Sequence, residues 1–335
     1  MPISTRSLDS NSKNCSFIIR RKGQVSIVAL NVSRQRLPRA FATINIVRVS
    51  NQKRYDLAVA YRIYAGMSGT PPPVFQDSKL KLAEMCLRSF KKSLGNLKVK
   101  LWVILDKCPP EFENLFTELW LPEDLELLRF PGIGNQDTFA KQLEILTEQT
   151  AADFVYLAED DYFYLPEKFH LALDLLKNNP DVDFCSLADH PDLHKDKFHQ
   201  HKMRLKVEQG QVWRTANGTT CTFLTRAATL RETRATFMSY TKIRRWNVDA
   251  TMWLSLTKHH VFNPYDLLAQ PFIFPYRGGS LAFAWFYNWR QILFGRRYTL
   301  CIPMPSLAGH MDAGRMPPYV NWKHEFQKTD SFMII

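Results

Sequence analysis

Three acidic residues stand side by side in the stretch DFVYLAEDDYFYLPEKF, which covers residues 153–169: Glu159, Asp160 and Asp161. They directly follow an apolar run at 154–158. Carboxylates packed this closely raise one another's pKa unless a cation neutralises them. Carboxylate oxygens are the ligands that Mg²⁺ and Mn²⁺ prefer in proteins. The sequence therefore predicts a divalent cation, Mn²⁺ or Mg²⁺, at the point where the apolar run ends.

The apolar run belongs to a regular alternation of strand-like and helix-like segments. Between the strands, apolar residues recur at helical spacing, as Phe139, Leu143 and Leu146 do. Such alternation predicts an α/β fold with a mostly parallel sheet flanked by helices. The strands are predicted near residues 57–64, 97–106, 125–130, 153–161 and 182–188.

Ligands of such sheets bind outside the carboxyl ends of the strands. Asp106 ends the second predicted strand, in VILDKCPP, and the acid triplet ends the fourth. We therefore expect Asp106 and the triplet to face the same crevice. A turn-forming role before the Pro-Pro pair explains Asp106 nearly as well.

The alternation stops after residue 195. A hairpin is predicted to turn at Gln209 and Gly210, and a strand at 220–227 follows it. Helices are predicted at 247–259 and 280–297. Aromatic residues surround the last of these, and arginines end it. Two interpretations stay open for this helix: a core helix, or a helix that lies in a membrane interface.

The net charge of +12 comes mostly from residues 1–55, which hold eleven lysines and arginines against one acid, Asp9. The basic character is thus that of an extension, which we expect to be poorly ordered. Such a segment is suited to contact anionic lipid. No helix-turn-helix, zinc-finger or RNA-recognition pattern accompanies it, so we expect no nucleic-acid partner.

The six cysteines are scattered and form no C-x-x-C pair, which argues against a zinc ribbon or a disulfide framework. Their spacing fits a reducing compartment. The first residues lack the pattern of a secretory signal, and no apolar run reaches the ~18 residues of a spanning helix. We expect a cytoplasmic protein, with peripheral membrane contact as an open alternative.

No P-loop pattern is present, which argues against a P-loop NTPase. A sheet that closes on the triplet EDD after its fourth strand resembles the GT-A (Rossmann-like) fold of nucleotide-sugar glycosyltransferases, and is similar to family 2-like members. That family carries an Asp-x-Asp type motif there, of which EDD is a variant. The resemblance covers residues 55–322. It implies a nucleotide-sugar-binding half at 56–195 and an acceptor-binding half of the same domain at 196–325.

The resemblance implies roles for the residues of the first half. Asp161 would coordinate the metal directly, and its two acidic neighbours would contact the ribose or reach the metal through water. Asp106 would contact the base or ribose, and Arg62 a phosphate. Asn135 and Lys141 would line the nucleotide pocket, although Asn135 or Asp137 can equally cap the helix that begins there. The implied nucleotide-sugar-binding residues are Arg62, Asp106, Asn135, Lys141, Glu159 and Asp160.

In the second half the resemblance implies a general base at the start of a helix. Asp249, in RRWNVDATMW, matches by position, although the usual Glu-Asp pair of the family reads Val-Asp here. A general base removes the proton of the acceptor hydroxyl in an inverting enzyme. Trp246 and Trp253 would stack on sugar rings. The structural alternative is that Asp249 only caps its helix.

Some family members supply a late histidine as a further metal ligand. His310, followed by Pro317 and Trp322, fits that pattern, and an imidazole beside carboxylates suits Mn²⁺. His190, in LADHP, is a further candidate for the sugar or acceptor pocket. The predicted metal ligands are therefore Asp161 and His310.

The resemblance implies a metal-dependent, inverting glycosyltransferase of the hexosyltransferase type, with a UDP- or GDP-type sugar donor and a glycan or lipid-linked acceptor. A nucleotidyltransferase on a related fold is the alternative. It would want a glycine-rich, basic loop after the first strand, where YRIYAGMSGTPPP has glycines and Arg62 but no compact basic signature. A non-catalytic relative that docks on a membrane is the third reading.

Overall fold

The structure is a computed structural model. It describes the backbone of 14–21 and 24–31, and residues 54–67, 70–243, 249–273 and 275–333, excepting the side chains of 197, 269–277 and 330–333. The chain divides into two compact units, Met1–Gln52 and Lys53–Ile335. In the first unit β1 (Asn14–Arg21) pairs antiparallel with β2 (Gln24–Asn31). The expectation that residues 1–55 are poorly ordered stays a prediction.

A large mixed sheet forms the centre of the second unit. Its strand order is β5-β4-β3-β6-β11-β8-β12-β10-β9. All of these strands except β10 and β11 run in the same direction, which confirms the predicted mostly parallel α/β sheet. The strands are β3 (Leu57–Tyr64), β4 (Val99–Asp106), β5 (Leu125–Phe130), β6 (Phe154–Glu159), β8 (Phe184–Cys185), β9 (Leu205–Glu208), β10 (Gln211–Ala216), β11 (Phe223–Arg226) and β12 (Leu300–Met304).

Helices cover both faces of this sheet, as the alternation predicts. The helices of the described residues are α1 (Lys79–Ser93), α2 (Glu111–Thr117), α3 (Asn135–Glu148), α4 (Phe169–Asn178), α5 (Asp192–Lys195), α6 (Ala227–Phe237), α7 (Ala250–Thr257), α8 (Pro264–Ile273), α9 (Pro275–Phe294) and α10 (Trp322–Met333). No helix among the described residues is long and apolar enough to cross a membrane.

Side chains alternate between the two faces along each strand, so one strand contributes to two cores. On β3, Val59 and Tyr61 belong to the core that α1, α2 and α4 cover. Ala58 and Ala60 face the core that α3, α6 and α7 cover. The small alanines leave room for the α3 side chains on that face.

The chain reverses its winding direction between β3 and β6. From β3 it winds outward to β4 and β5, and then returns to place β6 on the other side of β3. Such a switch point opens a crevice at the carboxyl ends of the two strands. The buried amide of Gln142, on α3, bridges the two strands: it donates to the carbonyl oxygens of Ala60 at 2.7 Å and Ala158 at 2.8 Å.

Two short strands next to the crevice were not predicted. β7 (Tyr162–Tyr164) pairs antiparallel with β13 (Ala308–His310), and His310 stands opposite Tyr162 in the register. The backbone N–H of Met311 donates to the carbonyl oxygen of Asp161 at 2.7 Å. This small sheet fastens a late segment of the chain to the end of β6.

Most remaining elements agree with the sequence. The predicted hairpin turns at Gln209 and Gly210, both of which have positive φ. The helix predicted at 280–297 is part of α9, which is kinked at Asn288. Its core interpretation holds for one side: Leu281 and Ile292 are buried, whereas Phe286 and Phe294 are exposed.

Candidate functional site

The carboxyl ends of β3 and β6 open into a cavity of about 580 Å³, the strand-end cavity. Its walls come from those strand ends, the start of α1, the end of β4 and the start of α3. The predicted crevice is therefore present. Its polar lining residues include Arg62, Lys79, Asp106, Asn135, Asp160 and Asp161.

Glu159, the last residue of β6, is paired with Arg62. The guanidinium contacts one Glu159 carboxylate oxygen, and the hydroxyl of Thr222 donates to the other. Burial opposes the charge of Arg62, but the Glu159 carboxylate outweighs it, and the net result is a raised Arg62 pKa. Arg62 also donates to the backbone and side-chain oxygens of Asn135. Glu159 and Arg62 therefore form a fixed ion pair at the floor of the cavity.

Asp160 is paired with Lys79, at 2.9 Å between the Lys79 ammonium and Oδ2. The same oxygen accepts the backbone N–H of Tyr64 at 3.1 Å. Burial raises the pKa of Asp160, and the Lys79 charge opposes that shift. Both side chains are almost fully buried. Lys79 is thus a second cation that the protein itself brings to the acid triplet.

Sequence reasoning missed Lys79, although a signal was present. Lys79 is the first residue of α1, directly after Ser78, whose side chain accepts the N–H of Lys81 and caps the helix. In an α/β unit the helix that follows the first strand begins near the carboxyl ends of the strands. A lysine at that position is therefore directed toward the crevice.

Asp161 is paired with His310. His310 Nε2 lies 3.1 Å from Asp161 Oδ2, because the pairing of β7 with β13 brings the two residues together. Burial opposes both charges. The His310 charge nevertheless brings the pKa of Asp161 well below its usual range, and Asp161 raises the pKa of His310 to about 8. The structure thus brings together the two predicted metal ligands.

The acid triplet does not depend on a metal ion alone to offset its charge, and the predicted Mn²⁺ or Mg²⁺ stays a prediction. Each of the three carboxylates already has a partner in the protein: Arg62, Lys79 or His310. Among the described residues, no group of three or more His, Cys, Asp or Glu could hold a metal ion.

The Asp161–His310 pair nevertheless fits a divalent ion. Asp161 Oδ1 is buried and has no hydrogen-bond partner among the described residues. One carboxylate and one imidazole suit Mn²⁺, and Mg²⁺ accepts sites in which phosphate and water supply most of the ligands. The donor set therefore fits an ion that the protein holds by two side chains and a bound diphosphate completes.

Asp106 has a structural partner set in the same cavity. Its carboxylate accepts the backbone N–H groups of Gly132, Ile133 and Gly134, at 2.8–2.9 Å. Gly132 and Gly134 have φ of +110° and +86°, a region that glycine adopts readily. Asp106 therefore holds the loop that leads into α3, a role that neither sequence interpretation gave it. Its contact with a base or ribose stays a prediction.

The start of α3 differs from both capping predictions. The cap position is Gly134, and no side chain caps the helix. Asn135 instead accepts from Arg62 and donates to the hydroxyl of Tyr240 at 3.0 Å, so it lines the cavity. Lys141 does not reach the cavity. It lies six residues further along α3, which is about 9 Å of helical rise, and pairs with Glu144 at 2.8 Å.

A second cavity of about 570 Å³, the α7 cavity, adjoins the start of α7. Asp249, His190, Thr220 and Arg315 line it. His310 lines it as well, and Asp161, its partner, lines the strand-end cavity. The Asp161–His310 contact therefore lies where the two cavities meet.

Asp249 stands at the N-cap of α7 and is partly buried. Its Oδ1 accepts the N–H of Ala250 at 2.8 Å. Burial raises the pKa of Asp249 to about 6, and the hydrogen bond from Ala250 opposes part of that shift. Asp249 has no ion pair among the described residues. A carboxylate with a pKa near neutrality can accept a proton efficiently at physiological pH. The capping and general-base interpretations thus apply to the same residue.

His190 lines the α7 cavity. Its Nε2 is 3.3 Å from the hydroxyl of Tyr162, and its ring packs edge-on against His310. Burial, helped by the charge of His310, lowers the pKa of His190 to about 3. His190 is therefore neutral at physiological pH and can serve as a hydrogen-bonding group toward the α7 cavity.

The prediction that Trp253 stacks on a sugar ring is wrong. Its indole is fully buried, packs edge-on against Phe184 and Phe223, and donates to the carbonyl oxygen of Thr220 at 3.1 Å. Every residue of α7 from 251 to 257 is buried, so Trp253 belongs to a core helix. Trp246 lies outside the described residues.

No protein-family model and no curated protein matches the chain. Among solved structures, it is similar to S. aureus TarS 1-349, with a TM-score of 0.39 and 11% identity over 60% of this chain and 55% of that one. It is also similar to a cytidylyltransferase from Leptospira borgpetersenii serovar Hardjo-bovis, with a TM-score of 0.31 and 13% identity over 64% and 70% of the two chains.

A third similar structure is CMP:2-keto-3-deoxy-manno-octonic acid synthetase complexed with CTP, with a TM-score of 0.34 and 10% identity over 58% of this chain and 85% of that one. The chain thus spans little more than half the length of the TarS fragment. At these identities and TM-scores the likenesses concern the general α/β fold alone.

Proposed function

We propose that the protein is a metal-dependent glycosyltransferase, which moves a hexosyl group from a nucleotide-diphosphate sugar to an acceptor hydroxyl with inversion. The strand-end cavity would hold a UDP- or GDP-type donor, and the α7 cavity would hold a glycan or lipid-linked acceptor. The single observation that carries the proposal is the Asp161–His310 pair, which stands where the two cavities meet.

The proposed reaction uses Asp249 as the general base. The acceptor oxygen attacks the anomeric carbon of the sugar from the side of the α7 cavity. The bond from that carbon to the phosphate oxygen breaks, and its electron pair leaves with the nucleotide diphosphate. The proton of the acceptor hydroxyl passes to the Asp249 carboxylate, whose raised pKa suits this role.

The residues of the strand-end cavity would hold the leaving group. Asp161 and His310 would bind the divalent ion, which when bound stabilises the negative charge that develops on a diphosphate. Lys79 lies within reach of the same region and can share its positive charge with a phosphate oxygen. The Arg62–Glu159 pair would orient the triplet rather than contact the substrate.

A thermal-shift series on the full chain tests the proposal. UDP-, GDP- and dTDP-sugars are each added with and without Mn²⁺. A ligand that binds only the folded state raises the melting temperature, by an amount that grows with its concentration over its Kd. We expect at least one nucleotide sugar to stabilise the protein when Mn²⁺ is present, and less in its absence.

The Asp161→Ala variant should lose this metal-dependent shift and keep the fold, because His310 becomes a neutral imidazole when its carboxylate partner is removed. Glu111→Gln, an exposed acid on α2, is the matched control and should behave as the wild type. Unchanged nucleotide affinity in Asp161→Ala would refute the metal assignment. A wild type that binds no nucleotide would favour a non-catalytic relative.

A nucleotidyltransferase is the second candidate, and Lys79 favours it. The basic group that this class wants after the first strand is missing from the loop, but Lys79 reaches the crevice from the end of that loop. The two candidates differ in their donor. A nucleotidyltransferase should bind a nucleoside triphosphate and release pyrophosphate when a sugar substrate is added, whereas a glycosyltransferase should release a nucleoside diphosphate.

We also propose a cytoplasmic location. The support is chemical: the five cysteines of the described residues are all free, and most are buried. Buried thiols persist unpaired in a reducing compartment. Alkylation of unfolded protein isolated from cells would report the redox state directly, and oxidised cysteine pairs would contradict the proposal.

A further inference from the structure

One side of α9 presents large apolar side chains to solvent. Phe286 is 74% exposed, Phe294 is 79% exposed and Trp289 is 43% exposed. Phe286 precedes the kink at Asn288, and Trp289 and Phe294 follow it. We call this surface the α9 face; it consists of the exposed α9 residues Ala282, Phe286, Trp289, Arg290, Leu293 and Phe294, and of Arg297, three residues after the helix ends.

The opposite side of α9 is fixed to the protein. Leu281, Ala284 and Ile292 are buried in a core that α7 residues share. Asn288 donates to the hydroxyls of Ser239 and Ser255, at 2.8 and 3.1 Å. The helix is therefore anchored along one side, and the exposed aromatic rings are not left over from a loosely packed core.

Further exposed apolar side chains lie next to α9. Phe262 is exposed and packs edge-on against Trp285 of α9, with ring centroids 6.0 Å apart. Tyr265 and Leu268, in the adjoining helix α8, are exposed as well. Monomeric soluble proteins rarely expose contiguous apolar surface of this kind unless it meets a partner or a membrane.

The charges on the α9 face have one sign. Arg290 and Arg297 are both exposed, and no aspartate or glutamate occurs between residues 267 and 311. Arg296 is different, because its guanidinium is paired with Asp183 and Glu232. Aromatic rings beside arginines, without acids, are typical of helices that lie in the headgroup region of an anionic bilayer.

The same charges disfavour a second copy of the chain as the occupant. In a symmetric dimer each face meets its own counterpart, so Arg290 and Arg297 would face like charges without a carboxylate to offset them. Anionic lipid headgroups offer the complementary charge, and acyl chains offer an apolar medium for the rings.

We propose that the α9 face is a peripheral membrane-docking surface, which inserts Phe286, Trp289 and Phe294 among the lipids of an anionic bilayer while Arg290 and Arg297 contact the headgroups. This inference does not depend on the proposed function. It concerns a surface built from α9, whereas the two cavities of the candidate site are lined from other elements apart from Ser280.

Vesicle co-sedimentation of the full chain tests the proposal. Vesicles of phosphatidylcholine alone are compared with an equimolar mixture of phosphatidylcholine and phosphatidylglycerol. The wild type should bind the anionic vesicles more tightly. Phe286→Ser combined with Phe294→Ser should weaken that binding at least about tenfold, because two buried rings are lost from the interface.

Arg290→Gln and Arg297→Gln should each weaken binding to anionic vesicles about fivefold and leave binding to neutral vesicles unchanged. Lys81→Gln, an exposed cation on α1, and Val207→Ser, an exposed apolar residue on β9, are the matched controls. Both controls should bind as the wild type does.

The basic residues 1–55 could bind anionic vesicles by charge alone, so a second readout is needed. Brominated lipids quench a tryptophan that enters the acyl region, and Trp289→Phe should remove most of the quenching. Vesicle binding that survives the Phe286→Ser, Phe294→Ser pair without loss of quenching would overturn the proposal. A wild type that binds no vesicles would also overturn the proposal. So would a wild type that is a dimer in solution and becomes a monomer when Phe286 and Phe294 are both replaced by serine.

Discussion

The two cavities treat their carboxylates differently. In the strand-end cavity each acid of the triplet contacts a cationic group: Arg62, Lys79 or His310. In the α7 cavity Asp249 receives a backbone hydrogen bond and no ion pair from the described residues, and burial raises its pKa to about 6.

Under the proposed function, this difference would separate a region that holds charge from one that accepts a proton. Paired carboxylates are held in fixed positions beside cationic groups, which suits the binding of a charged ligand. Asp249, for which the described residues provide no ion pair, has a pKa raised to about 6, which suits an acid–base step. Environments that separate the pKa values of nearby acids in this way are typical of catalytic sites.

Breaking a pair in the strand-end cavity should have the largest effect on stability. Lys79→Met leaves the buried Asp160 carboxylate without its cation, and we expect a loss of about 3–5 kcal/mol in the free energy of unfolding. Urea denaturation measures this change. Lys81→Met, an exposed lysine two residues further along α1, is the control and should cost little.

Combining Lys79→Met with Asp160→Asn should restore much of the lost stability, since the unpaired charge is then gone. If Lys79→Met alone is as stable as the wild type, the Lys79–Asp160 pair does not hold the triplet. The difference that we infer between the acids of the two cavities would then be wrong for the strand-end cavity.

The α7 cavity should show the opposite behaviour. Asp249→Asn should reduce turnover at least about 100-fold, the usual scale for loss of a general base, and leave nucleotide binding intact. Turnover of the wild type should fall as the pH drops below about 6, because protonation removes the base. Asp192→Asn, another acid of this cavity, should keep that pH limb.

The free energy of unfolding should depend on pH in the opposite sense to turnover. The raised pKa means that Asp249 binds its proton more tightly in the folded state. Its contribution to stability is therefore present below about pH 4 and lost as the pH rises through about 6. At pH 7 Asp249→Asn should stabilise the fold by about 1–3 kcal/mol, since Asn also caps helices well. A destabilised Asn variant would contradict an Asp249 whose pKa is raised by burial and that has no ion pair among the described residues.

A smaller effect is expected at the bridge beneath the strand-end cavity. Gln142→Ala removes the amide that serves the carbonyl oxygens of Ala60 and Ala158, and we expect a loss of about 1–3 kcal/mol in unfolding free energy. Glu148→Ala, an exposed position on the same helix, is the control. An equal loss in both variants would assign the effect to helix α3 rather than to the bridge.

The smallest effect should come from the first unit. Deleting residues 1–52 should leave the melting temperature nearly unchanged, because Lys53–Ile335 is a compact unit with its own cores. The turnover of soluble substrates should stay within about twofold of that of the full chain. Loss of folding in the truncated protein would show that both cavities depend on the extension.

Long elements were predictable from the sequence, and short ones were not. The strands β3, β4 and β6 are apolar runs, and α1 and α3 show clear helical periodicity, so both kinds of element follow from pattern alone. The strands β7 and β13 have three residues each, too few for any period. They form because of tertiary pairing.

The candidate site divides in the same way. The position of Asp161 follows from the end of an apolar strand, and His310 followed from a family resemblance. The ion partners Arg62 and Lys79 come from different parts of the chain. The strand order that brings them to the triplet cannot be predicted from local periodicity. The prediction for Trp253 is wrong for a local reason. Trp253 lies near a helix start, but its neighbours Met252 and Leu254 are apolar, which indicates a core position rather than a binding surface.

The contact between β7 and β13 joins two segments that the ribosome synthesises at different times, because a chain is made from its N-terminus. His310 is synthesised 149 residues after its carboxylate partner, an interval of roughly 7–30 s at ordinary elongation rates. Until then the emerging polypeptide carries the triplet without the imidazole that completes it. The Asp161–His310 contact can therefore form only after the segment around His310 has left the exit tunnel.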